Sequence, residues 1–228
     1  MEKDFAGRTV FITGATGGIG LATAKILAKR GANIAIADLS PAAVEKAAKS
    51  LEIEYDIKTL AVPLDVTKPD QVKAAIDKTV SHFSRLDHAV NAAGIPGLKG
   101  LGAPFAAYPT DDWNKVMDVN CNGVFYCCRD EVAAMLKAGT KGSIVNISST
   151  AGIIALPTQG TSRYNLLIQL HTSQASTPLS ESLVLPLSNT LVQEFESTLW
   201  LLDSPTLNYC TVSVVTEKCF RPWRLKCR

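Results

Sequence analysis

Residues 8–20 read RTVFITGATGGIG, and this stretch decides the fold because an apolar run changes there into a glycine-rich turn. The run is rich in β-branched and aromatic side chains, which is typical of a buried strand. After the turn, IGLATAKILAKRG places apolar residues at helical spacing from Ile19 onward. A strand, a glycine turn and a helix in this order predict the first crossover of a parallel sheet.

The same alternation continues to about residue 150. The strand runs are apolar on both faces, as buried parallel strands are, and the helical runs repeat apolar residues at i, i+3 and i+4. Further predicted strands are NIAIAD, KTLAVPLD, LDHAVNAAG and GSIVNIS; further predicted helices are PAAVEKAAKSL, PDQVKAAIDKTVSHF and a long run over residues 111–138. Helices that join parallel strands with right-handed crossovers give an α/β, doubly wound sheet.

Composition excludes several classes of function. The 228 residues are 46% hydrophobic and 19% charged, with a formal net charge of +2, which is too small to favour nucleic acid. The opening MEKDFAGRTVFITG carries charges where a signal peptide needs an apolar core, and no stretch has the apolar length of a membrane span. We therefore expect a soluble, cytoplasmic protein that binds neither membrane nor nucleic acid.

The cysteines do not indicate a metal site. There are six, at positions 121, 127, 128, 210, 219 and 227, with no CxxC pair, and the three histidines have no ligand spacing relative to them. Small apolar fillers in a reducing compartment are the simpler interpretation. No zinc is expected.

The glycine turn predicts a dinucleotide site. A lone glycine pattern can be only a tight turn, but here it links the first strand to the first helix, so its backbone N–H groups and the helix N-terminus face an anionic pyrophosphate. The residues of this turn that we expect to bind the cofactor are Gly14, Thr16, Gly18, Ile19 and Gly20.

Asp38 predicts which dinucleotide binds. It ends the next strand run, eighteen residues after Gly20, where a carboxylate can accept hydrogen bonds from both adenine-ribose hydroxyls. No arginine or lysine stands at positions 15–17 or 39–40 to neutralise a 2′-phosphate, so NAD is favoured over NADP. The alternative is that Asp38 only begins the following helix, because aspartate is also a good N-cap.

From residue 161 the composition changes abruptly. All fifteen glycines lie at or before Gly160, and serine, threonine, leucine and proline dominate beyond it. We predict a dinucleotide-binding domain over residues 1–160 and an atypical segment over residues 161–228, in which residues 188–203 form a helix and residues 208–216 a strand. The basic aromatic end KCFRPWRLKCR is interpreted as a solvated terminus.

Five ordered motifs carry a family resemblance: TGATGGIG (13–20), LDVT (64–67), NAAG (91–94), the asparagine of DVNCNG (118–123) and IVNISSTAG (144–152). With these motifs the chain resembles a short-chain dehydrogenase/reductase over about its first 160 residues. The resemblance implies a Rossmann-type fold, a nicotinamide cofactor, and hydride exchange with a small-molecule alcohol or carbonyl substrate.

The resemblance also implies roles for single residues. Asp65 and Val66 match positions beside the adenine ring, and Asn91, Ala92 and Gly94 match the backbone that passes close to the cofactor. Asn120 matches the asparagine that bends the long helix and holds a water in the proton relay. Ser149 matches the serine that hydrogen-bonds the substrate oxygen.

The chain departs from the family where the acid/base should be. The family has a tyrosine thirteen residues after the serine and a lysine four residues later, but position 162 here is a serine. Tyr164 comes two residues late, and Ile168 stands where the lysine would be. A phenol with a pKa near 10 is only about 0.1% ionised at pH 7, so the missing cation removes most of the base.

Three interpretations follow. The chain is an oxidoreductase whose catalytic part is replaced, or a non-catalytic dinucleotide-binding protein on the same scaffold, or an unstable fold whose sheet is incomplete at its C-terminal edge because strands one to five lack their last neighbours. A changed reading frame or an alternative exon would explain the abrupt change. Homo-oligomerisation through residues 111–138 is a further expectation from the family, and the substrate's identity stays open.

Overall fold

The computed structural model describes residues 3–97, 107–149, 184–187 and 208–216. These contain a seven-stranded sheet in the order β3-β2-β1-β4-β5-β7-β6, in which every neighbouring pair is parallel. The strands are β1 (Thr9–Thr13), β2 (Asn33–Asp38), β3 (Thr59–Pro63), β4 (His88–Asn91), β5 (Ser143–Ser149), β6 (Val184–Leu187) and β7 (Asn208–Thr216). The predicted Rossmann-type doubly wound sheet is confirmed.

Helices connect the first five strands. They are α1 (Gly18–Lys29), α2 (Pro41–Tyr55), α3 (Pro69–Phe83), α4 (Thr110–Met117) and α5 (Val124–Ala138), with a π-helical segment over Asp118–Gly123 between the last two. Proline begins both α2 and α3, where its missing N–H costs nothing. In the part of the chain that is described, no helix is long and apolar enough to cross a membrane.

The core has two layers because strand side chains alternate between the faces of the sheet. Val10 and Ile12 of β1 pack on one face with Leu27 of α1 and Leu51 of α2. Phe11, between them in sequence, packs on the other face, where α3 and α5 contribute side chains that include Ile76 and Met135. Burial on both faces is the reason that the strand runs are continuously apolar.

The C-terminal segment supplies a neighbour to β5. β7 pairs with β5 from Ser143↔Asn208 to Ser149↔Val214, and β6 pairs with the far side of β7. The strand predicted over residues 208–216 is therefore confirmed, and the expectation of an exposed edge at β5 is wrong, because this β-rich run satisfies the backbone groups of β5. The predicted helix over residues 188–203 lies outside the described residues.

Candidate functional site at the carboxyl ends of the strands

The residues predicted to hold a cofactor gather at one edge of the sheet. The glycine turn follows β1, Asp38 ends β2, Asp65 follows β3 and Asn91 ends β4. The strand order runs outward from β1 to β2 and β3 on one side, and to β4 and β5 on the other. Parallel sheets bind ligands in the crevice that this reversal opens at the carboxyl ends of the strands.

Two glycines shape the turn after β1 through backbone contacts. Gly14 has φ +64°, and a Cβ there would lie 2.6 Å from the carbonyl oxygen of Ala92. A Cβ at Gly20 would collide with the carbonyl group of Gly14. Any side chain at either position would push the turn away from β4 or from α1.

Gly18 is different, because a Cβ there would meet nothing within 4 Å. Gly18 begins α1, whose N-cap Gly17 offers no side-chain hydrogen bond and whose first turn has no acidic residue. The neighbouring Ile19 is 42% exposed. Open space in front of an uncapped helix N-terminus fits an anionic group such as a pyrophosphate.

Asp38 is held against the glycine turn by Thr16. Its Oδ2 accepts hydrogen bonds from the Thr16 backbone N–H (3.0 Å) and the Thr16 hydroxyl (2.6 Å), and its Oδ1 accepts from the Leu39 N–H (2.7 Å). The alternative role of Asp38 as the N-cap of α2 is wrong. Ser40 is that cap, and its Oγ accepts from the Ala43 N–H at 3.4 Å.

The LDVT stretch forms a compact turn. The Asp65 Oδ1 accepts from both the backbone N–H (3.0 Å) and the hydroxyl (2.7 Å) of Thr67. Val66 is buried, and its side chain leaves no room for a Cβ at Gly123, which would lie 2.8 Å from the Val66 Cγ2. This glycine lets the π-helical segment approach the turn closely.

Asn120 clamps the segment that follows the NAAG turn. Its Oδ1 accepts from the Ile95 N–H and its Nδ2 donates to the Ile95 carbonyl oxygen, both at 2.8 Å. A Cβ at Gly94 would lie 3.5 Å from the same Oδ1, so this turn passes close to the helix. Asn120 lies in the π-helical segment, a form often found at functional sites.

Behind Asn91 lies a buried polar cluster that sequence reasoning missed. The Asn91 Nδ2 lies within hydrogen-bonding distance of the Asn146 Oδ1 (3.0 Å), the Glu131 Oε2 (3.1 Å) and the Cys128 Sγ (3.6 Å). Burial is the main cause that raises the pKa of Glu131 to about 8. A signal existed, because Glu131 shares the helical spacing of Cys127, Cys128 and Met135 and so had to lie on the apolar face of α5.

The predicted catalytic residues are placed only in part. Ser149 is the last residue of β5, three positions beyond Asn146, which pairs with Asn91 across the strands. Tyr164 lies outside the described residues. Within those residues, no group of three His, Cys, Asp or Glu side chains could hold a metal ion, and Cys121, Cys127 and Cys128 are buried thiols.

Comparison with known proteins agrees with this geometry. Residues 8–165 match the family model described as short chain dehydrogenase. The 2,5-dichloro-2,5-cyclohexadiene-1,4-diol dehydrogenase of Sphingobium indicum is 36% identical over 158 residues, 69% of this chain and 60% of that protein. Chanoclavine-I dehydrogenase of Aspergillus fumigatus is 39% identical over 155 residues, 66% of this chain and 59% of that protein.

A solved structure of NAD+-bound xylitol dehydrogenase superposes with a TM-score of 0.70 at 27% identity, covering 89% of this chain and 79% of that one. The match spans about 60% of the length of the two curated relatives. The family model covers more than half of the chain, and all five motifs that carried the resemblance fall within it. The chain therefore belongs to the short chain dehydrogenase family.

Proposed function

We propose that this chain binds NAD at the carboxyl ends of β1, β2 and β4, on a scaffold built for hydride transfer between the nicotinamide and a small-molecule alcohol or carbonyl. The observation that carries the proposal is the fixed position of Asp38. Two hydrogen bonds from Thr16 hold its carboxylate beside the glycine turn. The NAD+-bound xylitol dehydrogenase supports a nicotinamide dinucleotide as the ligand.

Asp38 would choose between the two dinucleotides. A carboxylate has about four lone-pair positions, and three hydrogen bonds from Thr16 and Leu39 leave room for a ribose hydroxyl. A 2′-phosphate in the same place would meet a negative charge, and positions 15–17 and 39–40 hold no lysine or arginine to offset it. NAD is therefore the cofactor that we propose, ahead of NADP.

The other cofactor residues would act through shape. Gly14 and Gly20 keep the turn close to Ala92 and α1, and Gly18 leaves space for the pyrophosphate. Asp65 and Val66 would lie beside the adenine. The backbone that would pass close to the nicotinamide half of the cofactor is that of Asn91, Ala92 and Gly94. Asn120 fixes the adjacent Ile95 through two hydrogen bonds.

Bound NAD would supply the hydride acceptor, and the chain would have to supply substrate binding and proton transfer. We assign the substrate oxygen to Ser149, the relay water to Asn120 and the acid/base role to Tyr164. No lysine stands four residues after Tyr164, where Ile168 is found. This absence favours a second candidate function, a dinucleotide-binding protein that does not catalyse hydride transfer.

The name of one relative supports a substrate class, and the exposed side chains of the long helix support self-association. One of the two curated relatives is named as the dehydrogenase of a cyclic diol, which supports a small-molecule alcohol as the substrate class here.

Phe125 is 45% exposed and Leu136 is 67% exposed on α5. These apolar side chains support self-association through residues 111–138.

Titration calorimetry of the full chain with NAD and with NADP tests the cofactor assignment. NAD should bind more tightly, and Asp38→Ala should weaken NAD binding about 10-fold or more, because a hydrogen bond to a charged group contributes about 1.5–3 kcal/mol. The same change should leave NADP affinity equal or improved. Asp77→Ala is the control, since Asp77 is 64% exposed and pairs with Lys73 on α3. Equal affinities for NAD and NADP in the unmodified chain would refute the role of Asp38.

A further inference from the structure

The buried carboxyl of Glu131 has no part in the functions proposed so far. Its side chain is fully buried on the apolar face of α5. Its Oε2 accepts a hydrogen bond from the Asn91 Nδ2, and its Oε1 has no hydrogen-bond partner among the described residues. A carboxyl placed in a core costs stability unless it is hydrogen-bonded, so its position beside a cofactor strand calls for an explanation.

A chain of hydrogen bonds joins this carboxyl to the proposed cofactor site. The Asn91 Oδ1 accepts from the Thr13 hydroxyl at 3.5 Å, and the Thr13 Oγ1 accepts from the Ala93 N–H at 3.3 Å. The Ala92 N–H donates to the Thr13 carbonyl oxygen at 3.2 Å. Glu131 therefore lies at the inner end of a path that reaches the NAAG turn and the start of the glycine turn.

The Asn91 side chain has more hydrogen-bond acceptors within reach than it has N–H bonds to donate. Its amide has two N–H bonds, but Glu131, Asn146 and Cys128 all lie within reach of the Nδ2. An ionised carboxylate accepts a hydrogen bond more strongly than a neutral one. Gain or loss of the proton on Glu131 would therefore change how the Asn91 amide is shared between α5 and β5.

We propose that Glu131 is a positioning residue for the NAAG turn, and that NAD binds more tightly when the Glu131 carboxyl is protonated than when it is ionised. This inference rests on the proposed NAD site. Ionisation would draw the Asn91 amide toward α5 and weaken its bond to Asn146, which displaces the turn through Thr13 and Ala93.

Among the side chains of this cluster, Glu131 is the one that would titrate near neutral pH. Burial raises the pKa of the Cys127 thiol well above its ordinary value and that of the Cys128 thiol to about 12. Asp130 is the adjacent charge on α5, and it pairs with Arg129 at 2.8 Å. With the pKa of Glu131 raised to about 8, its carboxyl is mostly neutral at pH 7.

The neighbouring elements bring no further charge to the cluster among the described residues. α3 packs on α5 with its buried face, and its ionisable residues are Asp70, Lys73, Asp77, Lys78 and His82. Lys73 and Asp77 pair with each other at the surface, and Asp130 is the one charge among the described residues that acts on the Glu131 carboxyl. β4 and β5 contribute the neutral amides of Asn91 and Asn146. At the opposite ends of these strands, His88 contacts the Ser143 hydroxyl at 2.8 Å.

Calorimetric NAD+ titrations of the full chain between pH 6.5 and about 9.5 test the proposal. The dissociation constant of the unmodified chain should rise by up to about 10-fold from pH 7 to pH 9, because an ionised Glu131 must take up one proton before the tighter complex forms. Glu131→Gln should bind NAD+ without this step. Met135→Ala, which perturbs the same buried face of α5 without touching Asn91, should keep the step despite lower stability.

The outcomes separate this proposal from the proposed function. If the unmodified chain binds NAD+ with no pH step, or if Glu131→Gln keeps the step, Glu131 does not position the turn, although the NAD site stands. If the unmodified chain binds no NAD+ at any pH, both proposals fail.

Infrared difference spectroscopy of the unmodified chain covers the case in which Glu131→Gln does not fold. The C=O stretch of a protonated buried carboxyl should be present at pH 7, absent at pH 9.5, and shifted when NAD+ is added at pH 7. A band that NAD+ leaves unchanged would overturn the coupling.

Discussion

Replacing Gly18 by valine should weaken NAD binding about 100-fold while leaving the fold intact. The Gly18 position opens onto space, since an added Cβ would have no neighbour within 4 Å. That space is where the proposed site places the pyrophosphate. Overfilling a packed site costs about 1–3 kcal/mol. For a branched side chain the upper end applies, which corresponds to a loss of NAD affinity of about 100-fold.

The effect of Gly18→Val on the free energy of unfolding should be small, because it comes only from the helix propensity of the new residue. Gly18 is the first residue of α1, and valine exceeds glycine in helix propensity by only about 0.5 kcal/mol. For a chain of this size, 1 kcal/mol shifts the melting temperature by about 2–4 °C, so a change of no more than about 2 °C is expected.

Gly20→Ala is the matched control on the same turn. Its Cβ would meet backbone atoms of Gly14 and Ala15 rather than open space. Because backbone cannot swing aside as a side chain can, the fold should lose about 1–3 kcal/mol and several degrees of melting temperature. Calorimetric titration with NAD, paired with thermal unfolding followed by circular dichroism, measures both quantities. A folded Gly18→Val chain with unchanged NAD affinity would mean that the loop is only a turn.

Three further predictions concern other parts of the site. Asn120→Ala should lower the free energy of unfolding in urea by about 2 kcal/mol and weaken NAD binding, because it leaves both backbone groups of Ile95 without their side-chain partner. Asn122→Ala is the control, and it should change neither quantity much because it loses only one exposed hydrogen bond to Asp118. The folded state keeps a proton on Glu131 up to about pH 8, whereas the unfolded chain releases it near pH 4.5. The free energy of unfolding should therefore fall by up to about 1.4 kcal/mol per pH unit across that window, and Glu131→Gln should abolish this slope. Plots of unfolding free energy against pH that run parallel for the two chains would contradict it. Without the lysine, turnover of ketones or secondary alcohols followed by NADH absorbance should be about 10²- to 10⁴-fold below that of a complete relative, and Tyr164→Phe should remove any residual rate only if that phenol has been recruited as the acid/base.

The strands were predictable because burial on both faces leaves little choice of residue. β2 matches its predicted run over residues 33–38, and β4 lies inside the run predicted over 86–94. The long helix was predictable only as a whole, because apolar spacing does not reveal the π-helical segment. That segment depends on contacts distant in sequence, between Asn120 and Ile95 and between Gly123 and Val66.

The polar features of the site were harder to predict than the fold. Spacing located Asp38 at a strand end but could not decide between a cap and a ligand, because both uses need a carboxylate at the same place. Ser40 is the cap of α2, which excludes the first use, and the ligand role of Asp38 stays a prediction. Glu131 was readable from its spacing on α5, but its partner Asn91 is 40 residues away in sequence, a distance that no local pattern covers.

In the proposed function, cofactor affinity and turnover would depend on different parts of this chain. The contacts that shape the proposed NAD site join Gly14 to Ala92, Asn120 to Ile95, and Glu131 to Asn91, all before residue 149. The tyrosine that would move the proton comes after that residue, and the lysine that would assist it is absent from its family position. A chain that binds NAD tightly and turns over slowly would therefore fit both observations. A chain that fails to bind NAD would indicate a defect in the sheet or in these contacts, since the missing cation alone would leave the proposed pyrophosphate and adenine-ribose sites unchanged.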